Sequence, residues 1–264
     1  MRSRCAHAEK LQAADRHVAS VRNPDGERSD EAMPRSRLAV RDGGVQSMMT
    51  RRQANAGLAS AAILASASGA GAVEEKIREL PPPRAAGGKP LTDALRLRRS
   101  IREYADRPLP PQVLSDLLWA GFGVNRPSGD RTAPYWRHVM VIDVYAALAD
   151  GLWLYDPKQH RLEQRLVADI RSQTGTQDFV GTAPLNLIYV AYGERMQDVS
   201  PEERRLYASV DTGFIGQNVY LFCASEGLAT VFRGSVDIKA LRATMQLGEG
   251  QFVTFAQSVG YPSA

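Results

Sequence analysis

From Leu91 onward the chain is built of short apolar blocks whose spacing switches between the helical and the strand period. Leu91 to Arg98 predicts a short helix. A second follows Pro110-Pro111, with Val113, Leu114, Leu117, Leu118 and Gly121 at helical spacing. Arg137 to Ala147 reads as a strand, Asp150-Gly151 as a turn, and Leu152 to Tyr155 as a second strand. Behind Ala183-Pro184, Leu185 to Tyr192 is a continuous β-rich run. Pro201 to Gly227 is the longest helical pattern, followed by a strand at Ala229 to Phe232, a helix at Ile238 to Met245 and a strand at Phe252 to Val259. Helices and strands interleave without a repeat, so residues 91–264 predict one α/β or α+β domain around a single core.

The pattern fades before residue 91. Pro81-Pro82-Pro83 and Gly87-Gly88 make residues 73–90 an expected extended linker. Ala54 to Ala72 carries no charge, but its large apolar residues are only Leu58, Ile63 and Leu64, too few for a permanent membrane anchor. Thr50-Arg51-Arg52 before it and Ala70-Gly71-Ala72 at its end give residues 48–72 the pattern of a twin-arginine export signal peptide. That reading predicts a periplasmic or otherwise exported protein, and an Ala/Ser-rich linker in a cytoplasmic protein is the alternative. Residues 1–47 have no periodicity and read as a disordered extension upstream of a true start at Met48 or Met49. On that view Cys223 is the single cysteine of the mature chain, and no disulfide reports its compartment.

The formal charge of +4 does not change this picture. Residues 1–47 hold nine basic and seven acidic side chains, Arg51 and Arg52 follow, and residues 73–264 hold twenty-two of each sign. No global basic field surrounds the body, so a nucleic-acid partner is not expected.

Local charge is another matter. In Arg98-Arg99-Ser100-Ile101-Arg102 an extended backbone would point residues 98, 100 and 102 to one side, placing two guanidiniums and a hydroxyl where a phosphate dianion could sit. Capping of the preceding helix by the same arginines is the competing reading. Gly123-Val124-Asn125-Arg126 leads to Arg131-Thr132-Ala133-Pro134, either a ligand-facing turn or an ordinary polar loop. Gly213 and Gly216 stand inside the long helix, where each costs about 1 kcal/mol relative to alanine, which makes sense if something flat or a second helix must approach. Arg233-Gly234 ends a strand with a cation that could meet a phosphate or lie at a surface turn.

Together these segments resemble the nitroreductase family of FMN flavoproteins, and within it the azoline dehydrogenase-like branch. The matching residues are Arg-Arg-Ser-Ile-Arg at 98–102, Leu117 to Gly123, Arg-Thr-Ala-Pro at 131–134, Asp150 to Tyr155, Gly-Gln-Asn at 216–218 and Gly260-Tyr261-Pro262. The resemblance spans about residues 91–262. It implies an α+β nitroreductase-like fold, a central mixed or antiparallel sheet flanked by helices, and a homodimer sharing two FMN sites. It implies an FMN-dependent oxidoreductase acting on a small-molecule substrate, with NAD(P)H as candidate electron donor. Arg98, Arg99, Ser100 and Arg102 would hold the phosphate and ribityl chain. The segment from Pro134 would pass the flavin ring, the Gly213–Asn218 helix would pack in the dimer, and Arg233 and Gly234 would lie at the phosphate end.

The chain departs from the branch at one place. Where it has small residues, Tyr135, Trp136, Arg137 and His138 stand here. The two rings could stack on the flavin, narrow the pocket or fill it. His138 is expected to be structural or cofactor-adjacent, and His160 to lie on a surface turn. No catalytic acid, base or nucleophile is assigned, and no metal-ligand spacing, dinucleotide fingerprint, phosphate-loop lysine or nucleophile elbow is found. Two rival readings follow: a flavin-dependent dehydrogenase of a peptide or metabolite, and a non-catalytic flavin-binding protein.

Overall fold

A computed structural model describes residues 76–263 apart from residue 85. The 1–47 extension, the 48–72 signal and the first residues of the linker lie outside the described residues. The domain is an antiparallel seven-stranded sheet with the order β1-β4-β3-β2-β5-β7-β6. The strands are β1 Ile77–Glu79, β2 Ile142–Leu148, β3 Gly151–Asp156, β4 Arg161–Leu166, β5 Leu185–Tyr192, β6 Ala229–Arg233 and β7 Gln251–Gly260. Four helices, α1 Leu91–Leu97, α2 Pro111–Phe122, α3 Pro201–Glu226 and α4 Ile238–Thr244, complete the α+β fold. Among the described residues no helix is long and apolar enough to cross a membrane.

The continuous apolar run of β5 has a direct cause: the strand is buried on both faces. Leu187, Tyr189 and Ala191 pack in the core that contains Leu117 and Leu118 of α2 and Ile215 and Val219 of α3. Ile188 and Val190 pack on the other side with Leu241 of α4. Alternate residues along a strand face opposite sides, so a strand covered on both loses its polar positions. α3 starts with a capping box, Ser200 accepting from the Glu203 N–H while Glu203 accepts from the Ser200 N–H, and ends at Gly227 in the left-handed region. Gly216 in its middle is explained by a flat neighbour, because a Cβ there would lie 2.6 Å from the Phe232 ring.

Of the two sheet types expected, mixed or antiparallel, the antiparallel one is observed. Three expectations need correction. The linker is part of the fold from residue 77: β1 pairs with β4, the Pro81 carbonyl accepts from Ser115 Oγ at 2.5 Å, and Arg84 donates from N and Nε to Asp116 at 2.8 and 2.6 Å. The strand expected from Arg137 begins at Ile142, because residues 136–138 form a 3-10 turn with φ of +43° at Arg137 and +58° at His138. His160 is not a surface side chain: its ring bridges Tyr155 OH at 2.9 Å and Ser115 Oγ at 2.7 Å. Burial accordingly lowers its pKa.

Candidate functional site

The cationic strip begins where α1 ends. Arg98 caps that helix with its N–H on the Ala94 carbonyl, and the backbone then runs extended past β6, held by Ile101 N–H donating to the Thr230 carbonyl at 2.9 Å. Two side chains of the strip converge on one residue of α3. The Arg98 guanidinium lies 5.1 Å from the centre of the Tyr220 ring, and Ser100 Oγ is 2.7 Å from Tyr220 OH. That hydroxyl also accepts the Phe232 N–H at 2.9 Å. Arg99 turns the other way and donates to the Leu97 carbonyl at 3.1 Å, so the helix-capping reading holds for Arg99. Arg102 is exposed, and none of Arg98, Arg99 and Arg102 has a carboxylate within salt-bridge distance among the described residues.

Uncompensated guanidiniums beside a hydroxyl form a donor set for a dianion. The strip therefore fits the phosphate end of a flavin mononucleotide.

Arg233 lies elsewhere in character. It is 4% exposed, and its guanidinium is spent inside the protein on Ser258 Oγ at 3.1 Å, the Thr174 carbonyl at 3.0 Å, Thr174 Oγ1 at 3.3 Å and Asn186 Oδ1 at 3.1 Å. Burial pushes its pKa down to about 10. Gly175 is glycine because a Cβ there would strike Arg233 Nη1. Gly234 is exposed, with the nearest ring atoms of Phe255 at 3.6 Å from where a Cβ would be. The expected phosphate-end pair thus divides: the Arg233 side chain braces the sheet, and only Gly234 faces outward.

The aromatic segment is fixed at three points. Tyr135 OH donates to Asp130 Oδ1 at 2.5 Å, and its ring stands edge-on to Phe122 and to His138. Asp130 also receives Ser128 Oγ at 2.7 Å, and these hydroxyl donors hold its pKa down at about 2. His138 Nδ1 is 3.4 Å from the same carboxylate while its side chain is 86% exposed. Trp136 donates its backbone N–H to Asp211 Oδ2 on α3 at 2.9 Å, and its ring is tilted against Tyr207 at 6.0 Å. Pro134 is exposed at the start of this turn.

The structure does not place the strip against the aromatic turn. Both are tied to α3, at Tyr220 and at Asp211, about 14 Å apart along the helix at about 1.5 Å per residue. Between and below them Leu206, Val210 and Phe214 form an exposed apolar stripe at four-residue spacing, and a Cβ on Gly213 would meet nothing within 4 Å. Tyr220, Tyr207 and Asp211 were not singled out as site residues from the sequence. The available signal was Asp211, an acid within a helix whose neighbours Thr212 and Ile215 are core residues.

Comparison with known proteins gives a consistent picture. The model of the Nitroreductase family matches residues 95–261. A candidate nitroreductase of Methanocaldococcus jannaschii is 31% identical over 169 residues, covering 60% of this chain and 85% of that protein. The crystal structure of a candidate nitroreductase from Ralstonia eutropha is 45% identical, with a TM-score of 0.69 over 71% of this chain and 90% of its own. One from Anabaena variabilis shares the fold at 18% identity and a TM-score of 0.58, over 66% of this chain and 38% of its own.

Proposed function

Because the chain belongs to the nitroreductase family, we propose that it is an FMN-dependent oxidoreductase that passes reducing equivalents to a small organic acceptor. The observation that carries this reading is the strip of Arg98, Ser100 and Arg102, pinned to β6 and Tyr220 and left without carboxylate partners. Arg98 and Arg102 would bind the phosphate through charge-assisted hydrogen bonds, and Ser100 would add a hydroxyl. Bound FMN would supply the hydride chemistry, while the protein supplies orientation and electrostatics. The turn at Pro134 to His138 would border the ring end, with Tyr135 and Trp136 setting the width of the acceptor's pocket.

NAD(P)H is the donor we propose. The exposed stripe of Leu206, Val210 and Phe214 supports a homodimer packed through α3, since apolar side chains in register on one helix face gain from burial against a copy of themselves. The motifs at 98–102 and 131–134 support placing the chain near the azoline dehydrogenase-like branch, and the Thr50-Arg51-Arg52 pattern supports export through residues 48–72. A second reading rests on the aromatic turn. Tyr135 and Trp136 are held by Asp130 and Asp211, and rings fixed over the flavin would give a flavin-binding protein without turnover. Flavin content of the purified chain, followed by turnover with NAD(P)H and a nitroaromatic or quinone, separates the two readings.

A further inference from the structure

Arg131 lies on the loop that follows α2, where it forms an isolated bridge with Val124. It is 4% exposed, yet its charge is offset only at a distance, by Asp143 and Asp156. The guanidinium stands 5.6 Å from the centre of the Phe122 ring, Nε donates to Met140 Sδ at 3.4 Å, and Nη1 is buried without any hydrogen-bond partner. No carboxylate among the described residues is within salt-bridge distance of it. Burial lowers its pKa. A thioether is a weak acceptor, so the protein gives the desolvated guanidinium no strong hydrogen-bond acceptor.

Space adjoins this charge. A chamber of about 60 Å³ has Arg131, Asp143 and Tyr155 as its polar wall and Phe122, Met140, Ile142, Val144 and Pro157 as its apolar one. A cleft of about 210 Å³ also has Arg131 in its wall and carries Lys158. A water needs about 15 Å³, so the chamber holds a group larger than one water. The acids bordering these spaces are committed elsewhere. Asp143 pairs with Arg195 at 3.0 Å, Asp156 accepts the backbone N–H groups of Lys158 and Gln159 at 2.8 and 3.2 Å, and Glu163 pairs with Arg161 and Arg165 at 2.9 and 2.6 Å. None of the residues assigned to FMN lines either space.

We propose that this chamber is a second binding site, one that takes the carboxylate of a short aliphatic acid on the Arg131 guanidinium and its alkyl end against Phe122, Ile142 and Val144. A planar fork matches a carboxylate through paired N–H donors, and the apolar walls match a short chain.

The test uses the full chain as purified, with sodium propionate as probe and sodium chloride at equal ionic strength as control. Propionate is expected to raise the unfolding temperature saturably in the wild type and to leave Arg131→Met unmoved. Without added acid, Arg131→Met should unfold no lower than the wild type, because an apolar side chain of similar length removes an unpaired buried charge. Saturation transfer from the protein to the propionate methyl, present in the wild type and absent in Arg131→Gln, reads binding independently of stability. An unfolding temperature insensitive to propionate, the same rise in Arg131→Met, or saturation transfer that persists in Arg131→Gln would overturn the proposal. An equal saturable rise with chloride would overturn the carboxylate assignment.

Discussion

Asp211 Oδ2 accepts the backbone N–H of Trp136 at 2.9 Å, so a buried carboxyl on the central helix sets the position of the aromatic turn. Burial raises the pKa of Asp211 to about 6, against about 4 for an aspartate in an unfolded chain. Between those values the folded protein holds a proton that the unfolded chain has released. The residue's contribution to stability is therefore largest below about pH 4, falls as the pH rises to about 6 and is level above. Asp211→Asn keeps an oxygen for the Trp136 N–H and should abolish this slope. Asp211→Leu should lose the anchor and cost about 1–3 kcal/mol. Denaturant unfolding of the three proteins across this pH range checks both outcomes.

Replacing Arg98 and Arg102 together by alanine should leave the fold intact, since neither side chain is buried and neither forms an ion pair among the described residues. FMN affinity should fall by about 10- to 100-fold, the loss of two charge-assisted contacts at about 1.5–3 kcal/mol each, reduced by solvent exposure. Flavin fluorescence titration of the folded double variant measures it, and unchanged affinity refutes the phosphate assignment.

Arg233→Leu should behave in the opposite way. It removes the buried donors of the Thr174 carbonyl and leaves Asn186 Oδ1 with Ser258 alone, at a cost of about 1–3 kcal/mol for each group left unsatisfied. FMN affinity per folded molecule should not change. A marked loss of affinity at equal folded fraction would return Arg233 to the cofactor site.

Phe214→Glu tests the outward face of α3. Phe214 is 45% exposed and stands in line with Leu206 and Val210. If the proposed α3-packed dimer forms, a carboxylate there should convert it to a monomer in sedimentation without unfolding the chain, and flavin should be lost with the partner. A monomeric wild type would remove the basis of this expectation.

Much of the fold could be read from the sequence, and the exceptions share a physical origin. β5, α3 and α2 were legible because burial on one or both faces imposes apolar periodicity over many residues. β4 was not, since Arg161, Glu163 and Arg165 satisfy one another along its outer face and leave little apolar signal. The break at Arg137 and His138 depends on Asp211 and Tyr207, contacts far away in sequence that no local pattern contains. The strip at 98–102 was visible as chemistry, but its division of labour, with Arg99 capping α1 and Ser100 meeting Tyr220, is a tertiary fact. Arg233 misled for a related reason. A cation at a strand end looks exposed until Thr174, Asn186 and Ser258 are seen around it.

The visible spectrum of the purified chain tests the central claim most directly. Flavin absorbance at one FMN per chain, bleached by NAD(P)H without air and restored by a nitroaromatic or quinone, is the predicted result. Absence of flavin absorbance, with none regained after FMN is added to folded protein, would contradict the account.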